Sequence, residues 1–228
     1  MTATRKTALA AGTFYMITFG ASIPALILLG PILNNPDYIH SAGADTRVLW
    51  GALLDVVNAF AGIGTAVTLF PVVKRQNEAT ALGFVTSRVI EAAVILTGVV
   101  SLLAVVTLRQ HLAGTGGADA AALVTTGKAL VAVRDWTFLF GPGLMPGVNA
   151  LLLGSLLYRS GLVPRIIPAT GLLGAPLLFT ATLTTLFGYT TQVSGPAALL
   201  SLPVAAWEFA VGVYMIVKGF KPVPTSTA

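Results

Sequence analysis

The sequence has no cysteine. That removes disulfides, thiolate metal sites and cysteine nucleophiles together. Charge is scarce as well: 9% of the 228 residues are charged, against about 25% in a soluble domain. So few solvated side chains cannot cover a globule in water. The histidines are only His40 and His111, which the sequence places in loops. A Ser-His-acid hydrolase needs a histidine held against its nucleophile, so that chemistry is disfavoured. There is no HExxH zinc pair, no glycine-rich phosphate loop followed by Lys-Ser/Thr, and no GxSxG elbow. No lysine falls where a membrane-embedded Schiff base would need one. The expectation is therefore no cofactor, no metal and no identifiable catalytic residue. Acid–base chemistry by a carboxylate stays open.

What the chain has is apolar length. Hydrophobic residues make up 55%, and the mean hydropathy is +0.86. A membrane-crossing helix needs roughly 20 mostly apolar residues. Six segments qualify: 8–33, 48–73, 80–108, 136–158, 164–189 and 196–219. The first follows Arg5 and Lys6, like a signal peptide, but runs beyond the roughly 7–15 apolar residues of such a segment and reads as a retained helix. The expectation is an all-α polytopic membrane protein: a six-helix bundle forming a single domain over 1–221, with a disordered tail over 222–228.

Orientation follows from lysine and arginine. With the N-terminus in the cytoplasm, Arg5, Lys6, Lys74, Arg75, Arg159, Arg165, Lys218 and Lys221 lie inside, and Arg47, Arg109, Lys128 and Arg134 lie outside. Asp37, Asp45 and Asp119 fall in the outer loops. Trp50, Trp136 and Tyr189 mark the outer interface, and Tyr158 and Tyr214 the inner one. The longest connection, 109–135, begins with a turn at Gly114, Gly116 and Gly117 and continues as a short extra helix over 118–133. Lys128 and Arg134 make that helix a poor span. It is expected on or near the outer surface, in position to run into the fourth span; a seven-helix alternative would require it to cross. The net charge of +5 is accounted for by the membrane surface rather than by nucleic acid.

Polar residues inside the spans carry the functional signal. A charge at the bilayer centre costs about 2.5–3.5 kcal/mol on insertion scales, so such groups face protein or water and find partners. Asp55 and Asn58 lie in the second span, Arg88 and Glu91 in the third, Asn149 in the fourth and Glu208 in the sixth. Positions three, four and seven apart share a helix face. Asp55, Asn58, Gly62 and Thr65 form one stripe, Arg88, Glu91 and Gly98 a second, and Ser201, Ala205, Glu208 and Gly212 a third. Small residues in line with the polar ones mark these faces as bundle-facing. Rise per residue puts Glu91, Asn149, Asn58 and Glu208 each about 15–20 Å from a helix end, near a common midplane. Arg88 can reach either glutamate. Three acids against one arginine leaves at least one carboxylate to be protonated, hydrated or bound to a cation. The structural alternative is an ion pair that holds helices in register. The run Gly141-Pro142-Gly143-Leu144-Met145-Pro146-Gly147 breaks or kinks the fourth helix.

Several local patterns resemble a family of bacterial multi-pass membrane proteins catalogued as domain of unknown function 4386 (DUF4386). They are Arg5-Lys6-Thr7-Ala8 with Ala11-Gly12, Leu69-Phe70-Pro71-Val72-Val73-Lys74-Arg75, Gly83-Phe84 with Arg88-Val89-Ile90-Glu91-Ala92, Leu157-Tyr158-Arg159-Ser160-Gly161-Leu162-Val163-Pro164-Arg165, and Glu208 with Val217-Lys218-Gly219. The resemblance implies a six-helix bundle in a bacterial cytoplasmic membrane and implies no activity. It also implies that Arg88, Glu91 and Glu208 belong to the family pattern.

Three functions fit these residues. The first is a small transporter or an ion or proton pathway with a polar midplane pocket, taking a small molecule, proton or ion. The second is a membrane enzyme acting on a lipid-like molecule. The third is a non-catalytic partner or sensor subunit. The lipid bilayer is the one partner common to all three. A fluorescent protein fused after Lys221 is expected to fluoresce, and alkaline phosphatase fused there to stay inactive; the opposite pattern would reverse the orientation.

Overall fold

A computed structural model describes residues 2–35, 38–40, 45–112 and 118–221. Among them are seven α-helices: α1 (Ala3–Leu33), α2 (Asp45–Val73), α3 (Glu78–Leu112), α4 (Ala118–Phe140), α5 (Met145–Ser160), α6 (Ile166–Leu186) and α7 (Gly195–Val217), with a 3₁₀ turn at Tyr38–His40. In lipid every backbone group must be satisfied within the protein, and a helix does so locally. α4 and α5 form one interrupted path, so six segments are long and apolar enough to cross a membrane. The expected turn at Gly114, Gly116 and Gly117, the tail over 222–228 and Asp37 lie outside the described residues. His111 sits in the last turn of α3, because that helix runs a turn beyond the apolar stretch that announced it.

Each crossing segment packs against its neighbour in sequence, and α7 returns to pack against α1. The result is a closed ring. The start of α1 and the end of α7 lie at one end, the terminal end; the other, with the α1–α2, α3–α4 and α6–α7 connections, is the distal end. The terminal half is filled by a core of Ala8, Tyr15, Leu69, Phe84, Leu153, Leu157, Trp207 and Met215, all buried. A smaller core of Leu29, Ile32, Val48, Leu102 and Val105 joins α1, α2 and α3 toward the distal end.

Two devices close the ring. Gly12 and Gly212 let α1 and α7 cross backbone to backbone: a Cβ on Gly12 would lie 2.6 Å from the Gly212 carbonyl oxygen. Arg5 then reaches the end of α7 and donates to the carbonyls of Met215 (2.7 Å) and Ile216 (2.5 Å). Those carbonyls have no partner within their own helix. At the distal end Arg109 grips Asp45 through Nε (2.7 Å) and Nη2 (2.5 Å), tying α3 to α2. The Tyr38 hydroxyl donates to the same carboxylate at 2.9 Å. Burial, helped by that negative neighbour, pushes the Tyr38 phenol above its ordinary pKa.

The helix expected over 118–133 is present, and it continues without a break to Phe140. The interruption falls at 141–144, where Pro142 supplies no amide hydrogen. There the Gly143 amide donates back to the Phe138 carbonyl at 2.9 Å. Thr182 of α6 donates to the Gly143 carbonyl at 2.8 Å. A Cβ on Gly143 would sit 2.5 Å from the Leu139 carbonyl oxygen, so the break needs glycine there.

Gly12→Ala is expected to lower stability by about 1–3 kcal/mol, the cost of forcing atoms into a packed seam. Gly20→Ala, where an added Cβ meets nothing within 4 Å, is the control. Thermal unfolding in detergent should separate the two; equal behaviour would mean that the α1–α7 crossing is loose.

Candidate functional site

Four of the six polar residues singled out in the sequence meet. Arg88 lies on α3 in line with Glu91, one turn away, and α7 brings Glu208 to the other side of its guanidinium. Arg88 donates through Nη1 to Glu91 at 3.0 Å and through Nη2 to Glu208 at 2.5 Å. Asn149 of α5 donates to the same Glu91 oxygen at 2.8 Å and accepts from the Ser87 hydroxyl at 2.6 Å. Tyr15 of α1 and Phe84 place their rings 5.5 and 5.8 Å from the guanidinium. One cluster therefore links α1, α3, α5 and α7. Arg88 Nε and the Tyr15 hydroxyl are buried there without a partner in hydrogen-bonding geometry.

The remaining two residues behave differently. Asn58 faces the cavity described below and makes no hydrogen bond among the described residues. Asp55 is not part of the cluster. Its carboxylate is buried against Arg134, at 3.3 Å. The expectation that Arg134 is a cation of the outer side therefore needs correction. The unbroken run of α4 carries Arg134 onto the bundle-facing side, over the Phe138 ring at 4.8 Å. Gly98 makes the room: a Cβ there would lie 2.8 Å from Arg134 Cδ and 2.5 Å from the Thr137 hydroxyl oxygen. The charge count changes with it, from three acids against one arginine to three against two. The surplus carboxylate belongs to the Arg88 cluster.

The expected stripes are present. Gly62 lies beside Arg88. Ser201, Ala205 and Glu208 line one cavity, and Gly212 continues their line into the α1–α7 seam. That cavity, of about 350 Å³, occupies the centre of the ring on its distal side. Arg88, Glu91, Glu208 and Asn58 form its floor, and Thr18, Phe19 and Leu26 of α1 form one wall. Phe138, Pro142, Gly143 and Pro146 at the α4–α5 break form another, with Thr182 and Thr185 of α6 beside them. A second hollow of about 490 Å³ shares Leu26, Phe138, Thr185, Gln192 and Val193 with the first and reaches Asn34, Arg134 and Asp135. The two make a path from the distal end to the cluster. Toward the terminal end the packed core lies beneath the cluster.

Sequence reasoning missed Arg134, Ser87, Tyr15 and Thr182. The acid surplus was the available signal for Arg134, since unpaired carboxylates in a span call for a further cation. Ser87 and Thr182 gave none, because hydroxyls are common in membrane helices and usually bond their own backbone. Among the described residues no group of three or more His, Asp or Glu side chains could hold a metal ion.

A family model described as Domain of unknown function (DUF4386) matches residues 10–219, so the chain belongs to that family. No curated protein and no solved structure matches the chain.

Removing one partner of a buried pair strands the other charge, at about 3–5 kcal/mol. Arg134→Met should destabilise the protein on that scale, and adding Asp55→Leu should restore most of the loss. Thermal unfolding of both variants in detergent tests this. A harmless Arg134→Met would mean that the pair is solvated.

Proposed function

We propose that this member of the DUF4386 family is a small-solute transport protein with a proton- or cation-binding cluster at Arg88, Glu91 and Glu208. The observation that carries the reading is the path from the distal end to a buried cluster with one more acid than base. Two carboxylates and one guanidinium sum to −1 when all are ionised. Taking up one proton or one monovalent cation neutralises the cluster, which favours such uptake in a low-dielectric site.

Lysine and arginine support the direction. Arg5, Lys6, Lys74, Arg75, Arg159, Arg165, Lys218 and Lys221 gather at or just beyond the terminal end of the bundle, as cytoplasmic ends do. The distal end then faces outward, in a bacterial cytoplasmic membrane, with both termini inside. In this arrangement the cavity opens outward and is shut inward by the α1–α7 seam. Alternating access needs a second state in which that seam parts and the distal path closes. The α4–α5 break supports such a mechanism, since an interrupted helix beside a binding site is a recurring transporter feature.

Because the chain has no cysteine, one introduced thiol reports alone. Ala205 lines the cavity one turn from Glu208. In Ala205→Cys, a membrane-impermeant thiol reagent is expected to label intact cells and to label inverted vesicles far more slowly. A folded protein that stays unlabelled from both sides would overturn the reading in favour of a closed ion-pair core.

A further inference from the structure

The cavity's polar groups are biased in a way that specifies a ligand. The chain carries a net charge of +5, yet the charged residues lining this cavity are Arg88, Glu91 and Glu208, a sum of −1. Farther out, Arg134 is paired with Asp55 and is also close enough to act on Asp135 beside the path, so these three groups sum to −1. The negative balance is thus kept along the route while the excess positive charge lies elsewhere.

Three of the five hydroxyl side chains that line the cavity point the same way. Thr18 donates to the Tyr15 carbonyl (2.7 Å), Ser201 to the Ala197 carbonyl (2.8 Å), and Thr182 to the carbonyls of Gly143 (2.8 Å) and Leu178 (3.0 Å). A hydroxyl has one hydrogen and two lone pairs. With the hydrogens committed to backbone, these side chains have only acceptors left to offer a ligand. The Asn58 side chain, with no partner among the described residues, adds a carbonyl oxygen and can also donate through its amide NH2. The positive charge of Arg88 lies between two carboxylates, one on each Nη, while its Nε–H is buried without a partner.

A bare metal ion fits poorly. Calcium takes 6–8 oxygen ligands at contact distance, whereas most of this space, about 350 Å³, is walled by aromatic and aliphatic carbon. It lies in the size range of small-molecule sites.

We propose that the solute is a small apolar ammonium: a protonated amine on a hydrophobic body. Its N–H groups meet Glu208, Asn58 and the hydroxyl oxygens, and its body fills the apolar wall. This rests on the transport reading above and names the class of solute. The cation and a proton compete for the same surplus charge. Glu208 faces Arg88 and Glu91 on α3 and Tyr15 on α1; Asn58 of α2, which lines the same cavity, carries no charge. When the protonated cluster binds the ammonium, up to one proton leaves, so charge balances.

The test uses three near-isosteric probes: phenethylammonium, neutral 2-phenylethanol and anionic phenylacetate. Each is added to Ala205→Cys during thiol labelling. Phenethylammonium is expected to slow labelling, and the other two to leave it unchanged. Acidification should weaken its protection. Glu208→Gln in the same background should weaken apparent binding by at least about tenfold, as loss of a charge contact worth 1.4 kcal/mol would. If that variant does not fold, the wild-type chain answers instead: phenethylammonium should release protons into weakly buffered solution. Equal or better protection by the alcohol or the carboxylate overturns the ammonium class while leaving the cleft in place. So does a failure of phenethylammonium to protect a thiol that labels freely. A folded protein whose thiol never labels overturns the transport reading itself.

Discussion

The guanidinium of Arg88 holds two carboxylates that come from opposite stretches of the chain. Glu91 is its neighbour on the same helix, and Glu208 arrives 120 residues later on α7. Each of these charges alone would be expensive in a membrane interior. Together they are tolerable, and the price is that α3 and α7 must stay in register across the ring. Asn149 extends the constraint to α5 through Glu91. The surplus charge is therefore tied to the same contacts that hold the bundle. A change in protonation of either glutamate alters a structural contact as well as the proposed binding site.

Much of the surrounding architecture serves this contact. The Gly12–Gly212 crossing brings α7 close enough to α1 for Glu208 and Tyr15 to flank the same arginine. Trp207, next to Glu208 in sequence, packs its ring onto Gly171 of α6, where a Cβ would lie 2.5 Å from Cδ2. That contact holds α7 against α6. The second pair, Arg134 with Asp55, lies toward the distal end and joins α4 to α2. It lets α4 remain helical through its polar stretch, so the break falls at 141–144, where Thr182 takes up a freed carbonyl.

Six crossing segments were legible because lipid imposes length and apolarity on every span, and those are properties of composition. The polar stripes were legible for a related reason. Arg88, Glu91 and Glu208 are conspicuous in apolar runs, and their spacing relative to glycine and alanine identifies the inward face. Arg134 was not legible. It stands beside Asp135 and Trp136, a grouping that also describes a membrane interface, and only its packing against Gly98 distinguishes the two. Asp55 was misgrouped as a result: a helical stripe gives its face but not which of several helices lies opposite. The cavity itself is a property of six helices leaving a space between them, and no local pattern reports that.

Arg5 and the carbonyl of Met215 are separated by 210 residues. A membrane chain inserts as it is made, N-terminal end first. Without α7, the neighbour-to-neighbour packing of α1 through α6 leaves the ring open, and Arg88 keeps one carboxylate partner, Glu91, instead of two. The end of α7 takes its cap from the first turn of α1. Docking of α7, closure of the ring and pairing of its central arginine with both carboxylates thus coincide. A variant lacking α7 would expose an incompletely paired charge and the edges of α1 and α6 to lipid.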